Sequence, residues 1–368
     1  MSLAFSIYLD LVRFIAACLV FMYHSNQRLI VTKILPASDF GHSAVIVFFV
    51  LSGFVIAHVV DTKEKDWASY AASRLARVYS VAVPAIVLTV VLDAIGRTLY
   101  PAIYGYPFDR FLLRLAGSLL MLNEVWFVSI TSFSNIPYWS ICYEIWYYVL
   151  FGLITFLPRR YSTWSVPALA LLLGPKLLLL APLWAAGVVL YRWKALQDMR
   201  LSVGWAMVVA SIVGIVLFHR AGLGTLTAEG LKAVLGARWY TELTFSKFFI
   251  GDYALGILVM LNFAGMRRVA DQIGPVLLAA KRPIRWLAGY TLTLYLLHQP
   301  LFLFWAAVLH GDPAGYTNWW SVAGLVALSV VGVGHFTETR RHTLRHWLEQ
   351  RLRRLSGQIA KNPHAFSR

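Results

Sequence analysis

The segment GHSAVIVFFVLSGFVIAHVV, at residues 41–60, contains no Lys, Arg, Asp or Glu. A helix needs about 20 predominantly apolar residues to cross the hydrocarbon core of a bilayer, so this segment is long enough to span one. Comparable apolar runs recur along the chain and predict its fold class. They lie at 7–24, 79–99, 137–157, 164–180, 203–219, 246–264, 286–309 and 319–336.

The composition of the whole chain indicates a membrane protein and excludes several other classes. Its 368 residues are 59% hydrophobic and 14% charged, whereas soluble domains average about 45–50% apolar and about 25% charged residues. The 22 Phe, 18 Tyr and 14 Trp exclude a disordered chain, and two cysteines are too few for a disulfide scaffold. The net charge of +16 is attributed to topology and attraction to anionic lipids, so no nucleic-acid partner is expected.

Charge placement predicts the number of spans and their orientation, because cytoplasmic connections carry an excess of Lys and Arg. The rule assigns these basic segments to the cytoplasm: 61–78, 159–160, 192–194, 267–285 and 338–368. It assigns the connections at Glu124 and Asp312 to the outside. All assignments agree if 182–193 crosses the membrane and 111–122 forms an outward interfacial or re-entrant helix.

We therefore predict an all-α polytopic membrane protein with about ten transmembrane helices and both termini in the cytoplasm. The expected domains are a membrane domain at 1–337 and a basic cytoplasmic tail at 338–368. The segment 220–247 is the longest outward connection and the best candidate for an element that faces an acceptor.

Ionisable side chains inside the spans are the strongest functional signal, since a charge at bilayer depth costs about 2.5–3.5 kcal/mol. Arg13 and His24 lie in the first span and project from one helix face, about 16 Å apart along the axis. Asp10 lies three residues before Arg13 and can pair with it. A snorkelling Arg13 and a capping His24 are the structural alternative.

The fourth span opens with a second polar group. Ser140 and Glu144 are four residues apart with Tyr143 beside them, so we expect all three to face one cavity. His24 is a candidate partner for Glu144, because a hydrogen-bonded carboxylate fixes the tautomer of an imidazole and raises its basicity. The alternative is a structural pair between Glu144 and a His or Arg that holds helices together.

Arg74 and Arg77 point the same way from the helix that leads into the third span. Two guanidinium groups at this spacing suit phosphate oxygens through bidentate hydrogen bonds. Stop-transfer charge and lipid-headgroup binding are the alternatives. His298 is a further intramembrane imidazole, and His42, His58 and Asp252 are weaker candidates.

Several common catalytic motifs are missing from the sequence. It contains no phosphate-binding Gly-rich loop, no His-Glu-x-x-His and no Gly-x-Ser-x-Gly. These absences argue against a nucleotide-driven pump, a metalloprotease and a serine hydrolase. The two cysteines form no Cys-x-x-Cys motif, and no Cys/His cluster indicates a metal site.

Five motifs together resemble the membrane-bound acyltransferase family 3, the O-acyltransferases of the bacterial envelope. Their order and spacing agree with that family from residue 8 to about residue 336. The motifs are Arg13-x10-His24, FFVLSGF at 48–54, Arg74-x-x-Arg77, Trp139-Ser140-x-x-Tyr143-Glu144 and Tyr295-Leu-Leu-His298-Gln-Pro300.

The resemblance implies transfer of an acyl group, usually acetyl, from acyl-CoA to a hydroxyl of a carbohydrate or glycolipid. It implies a multi-pass enzyme of the bacterial inner membrane with a cytoplasmic-facing acyl-CoA cavity and no metal. His24 would be the catalytic base, and Arg74 and Arg77 would hold the CoA phosphates. Arg13, Tyr143 and Glu144 would shape the site, with Ser140 beside the cofactor.

Four questions stay open at this stage. Direct attack by the acceptor and a covalent acyl-His intermediate both fit the sequence. A transporter or flippase could also use intramembrane Arg, His and Glu as an ion or substrate pathway. A structural or lipid-scaffold role is the third possibility, and the oligomeric state is not indicated.

Overall fold

A computed structural model describes residues 1–27, 31–32 and 35–361, and within these ranges the chain is helical and forms no β-strand. The α-helices are α1 (Leu3–Gln27), α2 (Gly41–Thr62), α3 (Trp67–Leu99), α4 (Phe111–Leu119), α5 (Trp139–Phe156), α6 (Arg159–Leu173), α7 (Pro175–Arg192), α8 (Leu201–Arg220), α9 (Leu223–Glu242), α10 (Phe249–Val269), α11 (Gly274–Ala279), α12 (Lys281–Gly289), α13 (Thr291–Leu309), α14 (Tyr316–Thr339) and α15 (Arg341–Lys361).

Nine helices within the described ranges are long and apolar enough to cross a membrane. They are α1, α2, α3, α5, α7, α8, α10, α13 and the helix that begins at Tyr316. Many of their apolar side chains face outward from the bundle, which a lipid environment accommodates and water does not. The prediction of an all-α polytopic membrane protein is therefore confirmed.

The boundary between the fifth and sixth predicted spans is wrong. The run at 164–180 is interrupted at Gly174, which has φ +81° and separates α6 from α7. A Cβ there would lie 2.7 Å from the Cα of Trp126, so the close approach also requires glycine. The segment 182–193 is mostly the second half of α7. The 15 residues of α6 rise about 22 Å, which is less than the roughly 30 Å hydrocarbon core.

Two segments that were not expected to cross the membrane form helices. The first, α4, is nine residues long and too short to cross. Its Arg114 donates to the Asp109 carboxylate at 2.7 Å and to the Thr131 carbonyl at 3.0 Å. The second, α9, contains a non-helical residue at Gly236 and packs against α8 and α10.

The basic tail forms α15, which extends to residue 361 and packs against α3; residues 362–368 lie outside the described part of the chain. Arg353 donates to the Asp66 carboxylate at 3.0 Å. The same carboxylate caps α3 by accepting a hydrogen bond from the Ser69 N–H at 2.9 Å, and this bond lowers the pKa of Asp66. The tail is thus attached to the start of α3.

A buried ion pair fixes the connection between α4 and α5 to the bundle. Lys176 Nζ donates to Glu124 Oε2 at 2.6 Å and to the Val128 carbonyl at 2.7 Å. Glu124 also accepts from Ser129 at 2.7 Å and from Thr244 at 3.1 Å. Both charges are almost fully buried, so each depends on its partner.

Replacing Lys176 by Met should destabilise the protein by about 3–5 kcal/mol, because Glu124 would remain buried without its counter-charge. Thermal unfolding in detergent, followed by tryptophan fluorescence, measures the loss. The double variant Lys176→Met/Glu124→Gln should recover much of it.

The matched control is Lys232→Met, which removes an ion pair with Glu229 whose two side chains are both exposed. Exposed pairs contribute little, so the unfolding temperature should stay almost unchanged. Equal unfolding temperatures for Lys176→Met and Lys232→Met would contradict the role given to the buried pair.

Candidate active site

Three cavities follow one another through the helical bundle. The basic cavity measures about 690 Å³, and its acidic and guanidinium lining is Asp10, Arg13, Arg77, Arg285, Glu338 and Arg341. The central cavity measures about 60 Å³, and its polar lining is Arg13, Ser52, Arg77, Ser140, Glu144, Tyr148, Thr291 and Tyr295. The His24 cavity measures about 880 Å³, and its ionisable lining includes His24, Asp39, His42, His219, Lys247 and Asp252.

The three cavities lie in series, here called the path, because neighbouring cavities share lining residues. Arg13 and Arg77 line both the basic and the central cavity. Val45 and Tyr295 line both the central and the His24 cavity. The path is therefore narrowest in the middle of the bundle and wider towards both ends.

Glu144 is the only carboxylate that lines the central cavity, within the described residues. It accepts a hydrogen bond from Ser52 Oγ at 2.6 Å and another from the Tyr148 hydroxyl. The guanidinium groups of Arg13 and Arg77 interact with it electrostatically. A carboxylate at membrane depth thus receives both hydrogen bonds and positive charge.

The expected pairing of Glu144 with His24 is wrong. Glu144 lies in the central cavity and pairs with Ser52 and Tyr148, whereas His24 lines the next cavity along the path. The reason is position along α1: Arg13 lies at the depth of Glu144, and His24 lies eleven residues beyond Arg13.

Ser140 and Glu144 face one cavity as predicted, but Tyr143 does not. Its side chain is fully buried, and its hydroxyl is 2.9 Å from Oγ of Ser246, which lies in the short segment before α10. Tyr295 instead supplies a phenol to the path, with its hydroxyl 2.6 Å from Ser140 Oγ.

A proline in α13 fixes Tyr295 against α5. Pro300 has no N–H, so the carbonyl of Leu296 lacks its helical donor. Asn135, just before α5, donates to that carbonyl from Nδ2 at 2.6 Å. The bond ties α13 to the start of α5 and so sets the position of Tyr295 relative to Ser140.

The two arginines of the Arg74-x-x-Arg77 motif have different surroundings. Arg74 is buried and donates to Glu64 Oε1 at 2.7 Å and to Ser73 Oγ at 2.9 Å. Arg77 lines both the basic and the central cavity. The structure therefore presents Arg77 to the path and engages Arg74 in a buried ion pair.

The basic cavity carries more positive than negative charge. Its lining has the four arginines and two acids named above, which leaves two net positive charges before its histidines are counted. The expected pair of Arg13 with Asp10 is present at 3.5 Å. Arg285 and Arg341, which the motifs did not single out, complete an anion-attracting wall.

His24 lies near the end of α1 and is in contact with neighbouring rings. Its ring centroid is 5.0 Å from that of Tyr23 and 5.3 Å from that of His298. The side chain is 9% exposed and lines the His24 cavity. An imidazole in this position can exchange a proton with a group bound in the cavity.

The lining of the His24 cavity also carries two hydrogen-bonded pairs. His42 Nε2 is 2.9 Å from Asp252 Oδ1, and Ser43 Oγ is 2.8 Å from His219 Nε2. His42 and Asp252, weak candidates from the sequence, thus stand together in this lining. No group of three or more His, Cys, Asp or Glu that could hold a metal occurs in the described part of the chain.

Two glycines bring α2 and α7 into backbone contact and so set the position of Ser52. A Cβ on Gly53 would lie 1.9 Å from the Trp184 carbonyl oxygen, and one on Gly187 would lie 1.9 Å from the Val50 carbonyl oxygen. At this distance Trp184 Nε1 donates to Ser52 Oγ at 3.1 Å. The small residues of the 48–54 motif thus hold the donor to Glu144 in place.

A family model described as an acyltransferase domain matches residues 6–338. The chain belongs to the acyltransferase 3 family. Searches among curated proteins and among solved structures returned no match. Membership confirms the resemblance seen in the five motifs and makes the chain a multi-pass membrane acyltransferase.

Three residues that line the central cavity were not recognised from the sequence as candidates. Tyr148 lies one helical turn after Glu144, and that spacing was a usable signal. Ser52 lies within an apolar run, and Tyr295 was quoted only as part of a motif. Their hydrogen bonds to Glu144 and Ser140 depend on helix packing, which spacing alone does not give.

Gly53→Ala should lower both stability and acyltransferase activity, because the new methyl group would force α2 away from α7 and break the bond from Trp184 to Ser52. Overpacking of this kind costs about 1–3 kcal/mol. Thermal unfolding and turnover of the purified protein measure the two effects.

Gly230→Ala in α9 is the control, since a Cβ there would have no neighbour within 4 Å. It should keep its activity and unfold at the same temperature or slightly higher. Wild-type behaviour of Gly53→Ala would show that the two helices are not in backbone contact.

Proposed function

We propose that this acyltransferase moves an acyl group, acetyl in the simplest case, from acyl-CoA to a hydroxyl of a saccharide or glycolipid at the bacterial inner membrane. The path through the bundle is the observation that carries the proposal. It has a positive end suited to CoA phosphates and a polar end suited to a hydroxylated acceptor. The reaction uses acyl-CoA as co-substrate and no metal.

The donor site is the basic cavity. CoA carries several phosphate charges, and guanidinium groups bind phosphate through paired hydrogen bonds. Arg77 is the first candidate because it lines both the basic and the central cavity, and Arg285 and Arg341 add charge at the entrance. Arg74 acts indirectly: its ion pair with Glu64 helps to fix the part of α3 that carries Arg77.

The orientation in the membrane follows from charge. The basic cavity opens beside α12 and α15, which carry clusters of Lys and Arg, and such clusters mark the cytoplasmic side. The basic tail is then cytoplasmic, and the N-terminus shares that side if the short helix α6 crosses as a tenth span. The His24 cavity opens to the opposite side, beside α9, where the acceptor binds.

The chemistry uses groups on both sides of the narrow centre. The thioester reaches through the central cavity, and the Ser140–Tyr295 hydrogen bond opens to admit it. His24 takes the proton from the acceptor hydroxyl, whose oxygen attacks the thioester carbonyl. The hydroxyl of Tyr295 or Ser140 stabilises the oxyanion, the C–S bond breaks, and the CoA thiolate takes up the proton that His24 removed from the acceptor. Glu144 holds Arg13 and Arg77 in place.

One observation also favours a transporter: the cavities lie in series, as in a substrate pathway. Substrate flux without consumption of acyl-CoA would support that function. Membership of an acyltransferase family makes group transfer the first choice.

His24→Ala should lower acyl transfer by about 10²–10⁴-fold, the usual contribution of a general base. The measurement is transfer of radiolabelled acetyl from acetyl-CoA into glycan and lipid fractions, with membranes whose cytoplasmic face is exposed. His310→Ala, which removes an exposed imidazole, is the control and should keep full activity.

Two outcomes would change the proposal. Equal labelling with wild type and with folded His24→Ala would remove His24 from the chemistry. Substrate flux without labelling, in membranes that contain folded wild-type protein, would favour the transporter.

Arg77→Gln should raise the KM for acyl-CoA about tenfold, which corresponds to roughly 1.4 kcal/mol of lost phosphate binding. Arg74→Gln should mainly lower the unfolding temperature, because Glu64 would stay buried without its partner. Arg160→Gln, at an exposed site, is the control. A larger KM effect from Arg74 than from Arg77 would reverse the roles given to the two arginines.

A further inference from the structure

His298 is a fully buried imidazole beside His24. Its side chain is 0% exposed, and the rings of Phe21 and Phe302 each lie 6.2 Å from it. The centroid of its ring is 5.3 Å from that of His24, with 40° between the ring planes. At this separation a nitrogen of each ring can come within hydrogen-bond distance of the other.

The surroundings of His298 fix its tautomer. Nδ1 is 2.9 Å from the Tyr295 carbonyl oxygen and 3.1 Å from the Leu294 carbonyl oxygen. Carbonyl oxygens only accept hydrogen bonds, so Nδ1 carries the proton. In the neutral ring Nε2 then holds a lone pair and can only accept.

Nε2 of His298 is buried and has no hydrogen-bond partner among the residues that the structure describes. Buried acceptors are almost always satisfied in proteins, so one that is not calls for an explanation. Nδ1 of the neighbouring His24 is a buried atom too.

We propose that His298 is a positioning residue for His24. Nε2 of His298 accepts a hydrogen bond from the Nδ1–H of His24, which leaves Nε2 of His24 as the base that faces the cavity. A small rotation of the His24 ring closes this bond when substrate is bound, since catalytic hydrogen bonds often tighten only in the complex. The inference rests on the proposed function, in which His24 is the base.

The arrangement replaces the carboxylate that commonly orients a catalytic histidine. An acceptor on one nitrogen keeps the proton there and keeps the lone pair on the other nitrogen, towards the substrate. A neutral imidazole performs this task without a second charge at membrane depth, where a carboxylate would need its own partners. Glu144, the carboxylate expected in this role, is engaged elsewhere.

Two substitutions separate positioning from packing. In His298→Gln, the amide oxygen can occupy the place of Nε2 and accept from His24. In His298→Asn, the shorter side chain can replace the Nδ1 donor but does not reach His24. A third variant, Phe302→Leu, disturbs the packing around His298 and leaves its Nε2 in place.

The first measurement is independent of acyl transfer. Diethyl pyrocarbonate modifies the neutral nitrogen of an imidazole, and mass spectrometry gives the rate at His24, with exposed His310 as internal reference. We expect His298→Asn to slow modification of His24 about tenfold, and both His298→Gln and Phe302→Leu to stay within about threefold of wild type. An unchanged rate in His298→Asn, or equal slowing in all three variants, would overturn the inference.

The second measurement is acyl transfer itself, with acetyl-CoA as donor. His298→Asn should lower kcat by about 10–100-fold while the KM for acetyl-CoA stays within about twofold, and His298→Gln should restore part of kcat. A rise in KM without loss of kcat would contradict positioning. Absence of transfer in wild type would refute the proposed function, whereas the modification rates would still decide the His24–His298 contact.

Discussion

A carboxylate among apolar helices is the constraint on which the rest of the site depends. Glu144 needs hydrogen bonds and positive charge to exist at this depth, and it receives them from α2, α5, α1 and α3. These helices must therefore stay at the separation and rotation at which the hydrogen bonds to Glu144 can form. The site is formed by the same contacts that hold the centre of the bundle together.

Two departures from regular helix chemistry support that arrangement. Glycines in α2 and α7 allow their backbones to touch, which places Ser52 next to Glu144. A proline in α13 leaves one carbonyl open, and Asn135 occupies it. In both cases the absence of a side chain or of an N–H group creates a specific contact between helices.

The sequence predicted the membrane class, the ion pair of Arg13 with Asp10 and the shared cavity of Ser140 and Glu144. It failed where a contact depends on the direction in which a side chain leaves its helix. At about 100° per residue, Tyr143 points about 60° away from Ser140, whereas Tyr148 points only about 40° away from Glu144. The partner of Arg74 and the break at Gly174 depend on a buried carboxylate and on a positive φ, and hydropathy reveals neither.

The proposed roles of the site residues go beyond what the sequence and the fold establish together. The family match gives the class of reaction, and the cavities give an order of residues along a path. The donor, the acceptor and the base are assigned by charge and hydrogen bonding. Each assignment therefore concerns particular atoms and can be tested separately.

The narrow centre of the path also bears on the proton gradient across the membrane. A passage through a bilayer would dissipate the proton gradient if water and protons could cross it freely. Arg13 and Arg77 both line the constriction, and fixed positive charge at a narrow point repels protons and other cations. In the proposed reaction, donor and acceptor would therefore meet from opposite sides of the membrane while the barrier to ions is kept.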